Sequence, residues 1–110
     1  MQNYYEIRVI PHKVMDKGTN DRYYIYDNIF NERDREIFDT YEDAEKELIC
    51  LNFRAEAAKR IFGDPTFHHR LVSLEKIAKV MEVSPEKAEA ILDHYRTLSF
   101  KCGKRKDYEL

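Results

Sequence analysis

The sequence predicts an α+β fold: a small N-terminal antiparallel sheet of two or three strands, one long amphipathic helix, and a C-terminal pair of short helices. Three observations predict it. The first thirty residues contain stretches that alternate apolar and polar at period two, the signature of half-buried strands. Residues 41–62 carry apolar side chains at spacings of three and four, the period of a helix stripe. Residues 73–98 hold two short helical patterns, each opened by a serine, with a tight junction between them. With 43% hydrophobic and 36% charged residues in a chain of 110, there is enough apolar material for one limited core. Only 3 Gly and 3 Pro argue for regular elements over long loops.

The elements follow in order. In "YYEIRVI", Tyr5, Ile7 and Val9 share one face and Glu6 and Arg8 the other. "PHKVMDKGTND" is a loop composition, and "RYYIYDNIF" is a second strand dense in aromatic and β-branched residues. "NERDR" reads as a polar turn, with "EIFD" as a short third strand. Thr40 and Asp43 resemble a capping box, opening a helix whose stripe is Tyr41, Ala44, Leu48, Leu51, Ala55, Ala58 and Phe62, widened by Ile49, Phe53, Ala57 and Ile61. Gly63 and the following "DP" stop it. "TFHHRLV" reads as a short helical turn or connector. Ser73 then caps a helix through Met81, and Ser84 with Pro85 at the first helical position starts another to about Leu98. The ending "FKCGKRKDYEL" reads as a short strand or a loose tail. Residues 1–63 are therefore a strand–strand–helix module and residues 64–110 a helix-pair module with a basic tail, together one compact unit.

Residues 73–92 resemble the helix-turn-helix of bacterial and phage regulators, on Ile77, Ala78, Met81, Val83, Ser84, Ala88 and Ile91. The resemblance implies that Ala78 lets the helices approach, that Ile77, Met81, Val83 and Ile91 pack between them, and that Ser84 caps the second helix. Glu82 stands where that family has Gly at the turn, and Ala88 where it has a β-branched residue. In a DNA-reading member the second helix would enter the major groove, here exposing Glu86, Lys87, Glu89, Ala90 and Asp93. Three acids against one base face a polyanion there. Phosphate contact would fall to Lys87 and to Arg96, Lys101, Lys104, Arg105 and Lys106, gripping from the side as a wing does.

Charge and composition bound the function. Net charge is −2, split between residues 1–50, with 7 Lys/Arg against 12 Asp/Glu, and residues 51–110, with 12 against 9. The N-terminal half is a poor phosphate binder, so nucleic acid would contact the C-terminal half. The chain has no apolar run of membrane-spanning length, and its first residues lack a signal-peptide pattern, so the expected compartment is the cytoplasm. Cys50 and Cys102 make neither a disulfide framework nor a zinc quartet, and His68, His69 and His94 lack ligand spacing, so no metal or other cofactor is expected. Asp93-His94 lacks the separated partners of HD-type phosphohydrolases. Cys102 has basic neighbours but no assignable catalytic partner, and Cys50 belongs to the core. No enzyme is expected.

Tyr4, Tyr23, Tyr24, Tyr26 and Phe30 exceed what one face of a small sheet buries, and Tyr is enriched at interfaces. These five are the protein-interface candidates. Small size, mild acidity and aromatic strands are similar in general character to small phage anti-defence proteins, anti-CRISPR proteins among them. The leading expectation is a non-catalytic protein of phage or mobile-element type that modulates a host protein by direct contact. The alternative is a transcription regulator, acting as a homodimer, that binds duplex DNA through residues 84–98 and the basic tail.

Overall fold

The computed structural model describes residues 3–11, 21–95 and 107–109. Within them the α+β fold is as the sequence predicts. Strands β1 (Tyr5–Ile10), β2 (Arg22–Asp27) and β3 (Glu32–Phe38) form an antiparallel sheet in the order β1-β2-β3. Helix α1 (Tyr41–Phe62) and a 3₁₀ turn (Pro65–Phe67) follow. Strand β4 (Leu71–Ser73), helices α2 (Leu74–Met81) and α3 (Pro85–Tyr95) and strand β5 (Asp107–Glu109) complete the chain.

The β2–β3 reversal is tighter than the sequence suggests. Asp27 Oδ1 accepts from the backbone N–H groups of Ile29 (2.8 Å) and Phe30 (3.2 Å), and Asn31 takes a left-handed φ of 53°. Such a turn favours Asp and Asn, whose short side chains hydrogen-bond the local backbone. The expected polar turn over "NERDR" is therefore corrected: Glu32 through Arg35 are already strand, and β3 reaches Phe38 through an irregularity in its pairing with Tyr24 and Tyr26. Its charged residues hide the period because they alternate in sign, not in polarity.

Helix α1 is the central element and is capped as predicted. Thr40 Oγ1 accepts from the Asp43 N–H at 3.2 Å, and Gly63 closes the far end at φ 81°, donating its N–H to Lys59 O. On one side Leu51 and Ala55, with Leu48 beside them, pack against Tyr4, Tyr5 and Ile25 of the sheet layer. On another, Cys50, Phe53, Ala57 and Ala58 pack against Val72, Leu74, Ile77, Ala78, Ala88 and Leu92. Ala55, Ala57 and Ala58 are fully buried, and their small side chains let both layers approach closely. The expected stripe holds in its middle but not at two members: Tyr41 and Ile49 are about half exposed and belong to neither buried cluster.

The α2–α3 junction is a tight turn closed by a left-handed cap. Glu82 adopts φ 57°, ψ 43°, its N–H donates to Ala78 O and Lys79 O, and Val83 N–H donates to Ala78 O at 3.1 Å. A glutamate thus takes the left-handed position that usually holds glycine. Ser84 Oγ accepts from the Lys87 N–H at 3.2 Å, and Ala88 is fully buried, so the small residue tightens the crossing. The connector before α2 departs from expectation: after the 3₁₀ turn, Leu71–Ser73 form a strand that pairs antiparallel with Asp107–Glu109. The expected extension of the last helix from 96 to about 98 lies outside the described residues.

Replacing Glu82 with glycine removes the left-handed penalty of a side chain, roughly 1 kcal/mol. The variant is expected to melt several degrees higher than the parent in a thermal scan, and an unchanged or lower melting temperature would contradict the cap geometry.

Candidate binding surfaces

The strand period sorts the sheet residues onto two faces. Ile25 is buried toward α1, Tyr23 meets Tyr41 edge-on at 5.7 Å between ring centroids, and Phe38 packs into the same cluster. The opposite face carries Glu6, Arg8, Ile10, Arg22, Tyr24, Tyr26, Arg33 and Ile37, all exposed or half-buried. Among the described residues α1 is the layer packed on the sheet, and it lies on the Ile25 side.

On this open face Arg8 sits opposite Tyr24 but lies over the ring of Tyr26, 3.6 Å from its centroid. Arg33 sits opposite Tyr26 but lies over Tyr24, at 4.7 Å. The two contacts run along diagonals, which antiparallel pairs leave within reach of long side chains. Each guanidinium is attracted to the negative face of its ring and holds the tyrosine in one orientation. Arg8 Nη2 also donates to Glu6 Oε1 at 3.1 Å. The result is an ordered aromatic–cationic surface.

The sequence-predicted interface residues separate accordingly. Tyr24 and Tyr26 lie on the open face, and Phe30, 61% exposed, stands on the β2–β3 turn. Tyr23 faces α1. Tyr4 is only 7% exposed and is corrected to a core residue. Its hydroxyl donates to Glu56 Oε1 at 2.9 Å, and burial followed by that carboxylate pushes its pKa up to about 12. Glu56 Oε2 in turn accepts from Arg60 Nε at 2.8 Å, and Arg60 Nη1 donates to Val80 O at 2.7 Å. One polar chain therefore runs from the sheet's N-terminal end across α1 to the end of α2.

A second group, absent from the sequence reading, lies where α1 meets β3 and the 3₁₀ turn. Arg54 is almost fully buried and donates from Nη2 to His68 O at 3.2 Å. His68 Nε2 is 3.2 Å from the Tyr5 hydroxyl, while its Nδ1 is buried without a hydrogen-bond partner. Burial, then the Arg54 charge, lowers the His68 pKa to about 4, so the ring is neutral at physiological pH. Two turns earlier on the same face of α1, at i−7 from Arg54, Glu47 has a buried Oε1 without a hydrogen-bond partner. Burial, then the neighbouring Glu36 and Asp34 carboxylates, raises it to about 7. A cleft of about 380 Å³ opens beside the group, lined by Tyr5, Leu51, His68, Phe30 and the β3 residues 32–35 among others. Among the described residues no three metal-ligating side chains converge.

The helix-turn-helix surface is mixed. Glu86, Lys87 and Ala90 are exposed, and Glu89 and Asp93 are half-buried. Lys87 N–H is committed to the Ser84 cap, but its ammonium is on the exposed side. Arg96, Lys101, Lys104, Arg105 and Lys106 lie outside the described residues, as does Cys102; Cys50 is fully buried, as expected. No helix among the described residues is long and apolar enough to cross a membrane. No protein-family model, curated protein or solved structure matches this chain.

Glu47 gives a pH test. Its carboxyl holds a proton more tightly folded, at about 7, than at its ordinary 4.5, so it costs stability as pH rises from 4.5 to 7 and the cost is constant above. Glu47→Gln is therefore expected to match the parent near pH 4 and to exceed it above pH 7 by about 1 kcal/mol, after discounting for solvent screening of the half-buried group. Denaturant melts across pH 4–8 would show it, and a pH-independent difference would refute it.

Proposed function

We propose that the protein is a non-catalytic binding module that modulates a host protein by docking the open face of its β1–β3 sheet. The carrying observation is the pair of crossed Arg–Tyr contacts, Arg8 over Tyr26 and Arg33 over Tyr24, on a face without a covering layer among the described residues. Tyr and Arg dominate the energetic centres of protein interfaces, because they contribute large area and directional polar groups at low entropic cost. Here the pairing favours one arrangement of both before any partner arrives, so less ordering remains for association. Exposed Ile37, opposite Tyr24, adds apolar area at one end of β3, and the turn residue Phe30 adds it at the other. A source among phages or mobile elements, and an inhibitory or anti-defence role, belong to the same proposal and rest on the general character of the sequence.

The full chain, immobilised and exposed to host lysate treated with nuclease, is expected to retain a protein partner. Tyr24→Ala with Tyr26→Ala is expected to lose it, since truncating two interface tyrosines costs roughly 2–4 kcal/mol, while the inner face and hence the fold stay intact. Retention by a folded double variant would exclude the open face as the docking surface.

Duplex DNA is the second reading, favoured by a separate observation. The β4–β5 pairing sets Asp107 opposite Ser73, the cap of α2. The stretch 96–106, between α3 and β5 in sequence, holds five Lys/Arg and no Asp/Glu. Under this reading it supplies the phosphate grip and α3 the groove contact, against the opposition of Glu86, Glu89 and Asp93. The affinity for duplex DNA would then fall with salt at a log–log slope near −0.9 per phosphate contacted. Glu86→Gln with Glu89→Gln would strengthen it. Fluorescence anisotropy over a salt series measures both, and duplex binding weaker than about 10⁻⁴ M at physiological salt would dismiss this reading.

A further inference from the structure

On the reading that the open sheet face is the docking surface, we infer that the segment it receives is an acidic stretch of protein, recognised through carboxylates. The face is a positive island in an acidic half. Arg8, Arg22 and Arg33 stand on it against the single acid Glu6, although residues 1–50 hold five more acids than bases. The segregation follows from strand alternation: in β3, Arg33 turns to the tyrosines, while Asp34 and Glu36 lie close enough to Glu47 of α1 to raise its pKa. One side of the sheet therefore concentrates cations and the other concentrates acids.

The form of the cations selects the ligand. A guanidinium lying over a ring uses its flat face and leaves in-plane N–H donors, whose fork matches a carboxylate bidentately. Arg8 already does this in miniature with Glu6 at 3.1 Å, a contact a partner's carboxylate can extend or replace. Ile10 and Ile37 at the margins add apolar area of the kind that surrounds such contacts.

A nucleic acid offers anionic groups too, but fits less well. The ring faces on which bases would stack are occupied by Arg8 and Arg33. The island offers three arginines, Arg8, Arg22 and Arg33, fewer than the successive phosphates that a polynucleotide brings. A short acidic peptide segment can place its charges within the island alone.

The test titrates the full-length isotope-labelled protein with a glutamate decapeptide, a lysine decapeptide and a thymidine decanucleotide, following arginine side-chain and tyrosine backbone resonances. The glutamate peptide is expected to move the signals of Arg8, Arg33, Tyr24 and Tyr26, less so as salt rises, and the lysine peptide to leave them in place. Arg8→Glu with Arg33→Glu is expected to weaken the glutamate peptide about a hundredfold, as loss of two charge pairs implies. Arg8→Lys with Arg33→Lys, which keeps the charge, is expected to retain part of the binding. Unmoved signals with the glutamate peptide, or tighter binding of the oligonucleotide at the same residues, would overturn the acidic-partner inference. The two proposals fail separately. A lysate partner lost with the tyrosine pair but kept by the glutamate-reversed variant leaves the docking face standing and removes its acidic ligand; a partner kept by both removes the face itself.

Discussion

Helix α1 is buried from two directions, and that constraint governs the rest of the molecule. The apolar face of a short three-stranded sheet needs a layer to bury it, and helices of eight and eleven residues are marginal alone in water. Both use α1 as their apolar partner. Because one 22-residue helix serves both layers, its middle turns are filled with alanine, cysteine and single large residues at Leu51 and Phe53. Polar groups in those turns are tied to backbone. Asn52 is the clearest: its Oδ1 accepts from Tyr5 N–H at 3.0 Å and its Nδ2 donates to Tyr5 O at 3.3 Å, so a side-chain amide pairs with β1 as a neighbouring strand would. This contact fixes the sheet's register on the helix as well as its position.

What was legible in the sequence depended on whether a local period carried the information. The apolar stripe, Thr40, Gly63, Ser73 and Ser84 were readable, since caps and stripes are near-neighbour physics. β3 was foreshortened because "ERDREIF" alternates between acid and base, and both read as polar. The strand pairing of Leu71–Ser73 with Asp107–Glu109 joins segments far apart in sequence and too short for any period to register. Of the surface residues, the aromatic excess pointed to Tyr24 and Tyr26, but composition could not assign faces. Tyr4 and Tyr23 carry the same side chain and turn inward. Asn52, Arg54 and Glu47 had no signal, because a polar residue within an apolar helix stripe looks like a gap in the stripe until its partners are known.

The two candidate surfaces belong to the layers on different sides of this shared helix. The sheet end is aromatic, with arginines over tyrosines. The helix-pair end has a well-formed turn, tightened by the buried Ala78 and Ala88, and an outer surface where acids outnumber bases. The polar chain Tyr4–Glu56–Arg60–Val80 spans the two, crossing the helix with hydrogen bonds of 2.7 to 2.9 Å. Contact at either end is thus made on a framework whose layers are cross-braced.

The pocket at the α1–β3 junction has a thermodynamic consequence of its own. Glu47 and His68 are shifted by the same cause, loss of water around a charged form, but in opposite directions: to about 7 for the acid and about 4 for the base. Near pH 5.5 both side chains are uncharged in the folded protein, whereas at their ordinary values both are ionised in the unfolded chain. Folding at that pH therefore transfers, in effect, one proton from an imidazolium to a carboxylate within the chain, with no net exchange with the buffer from this pair. Its contribution to the proton linkage of folding cancels across the mildly acidic range and emerges on either side, where only one of the two changes its charge.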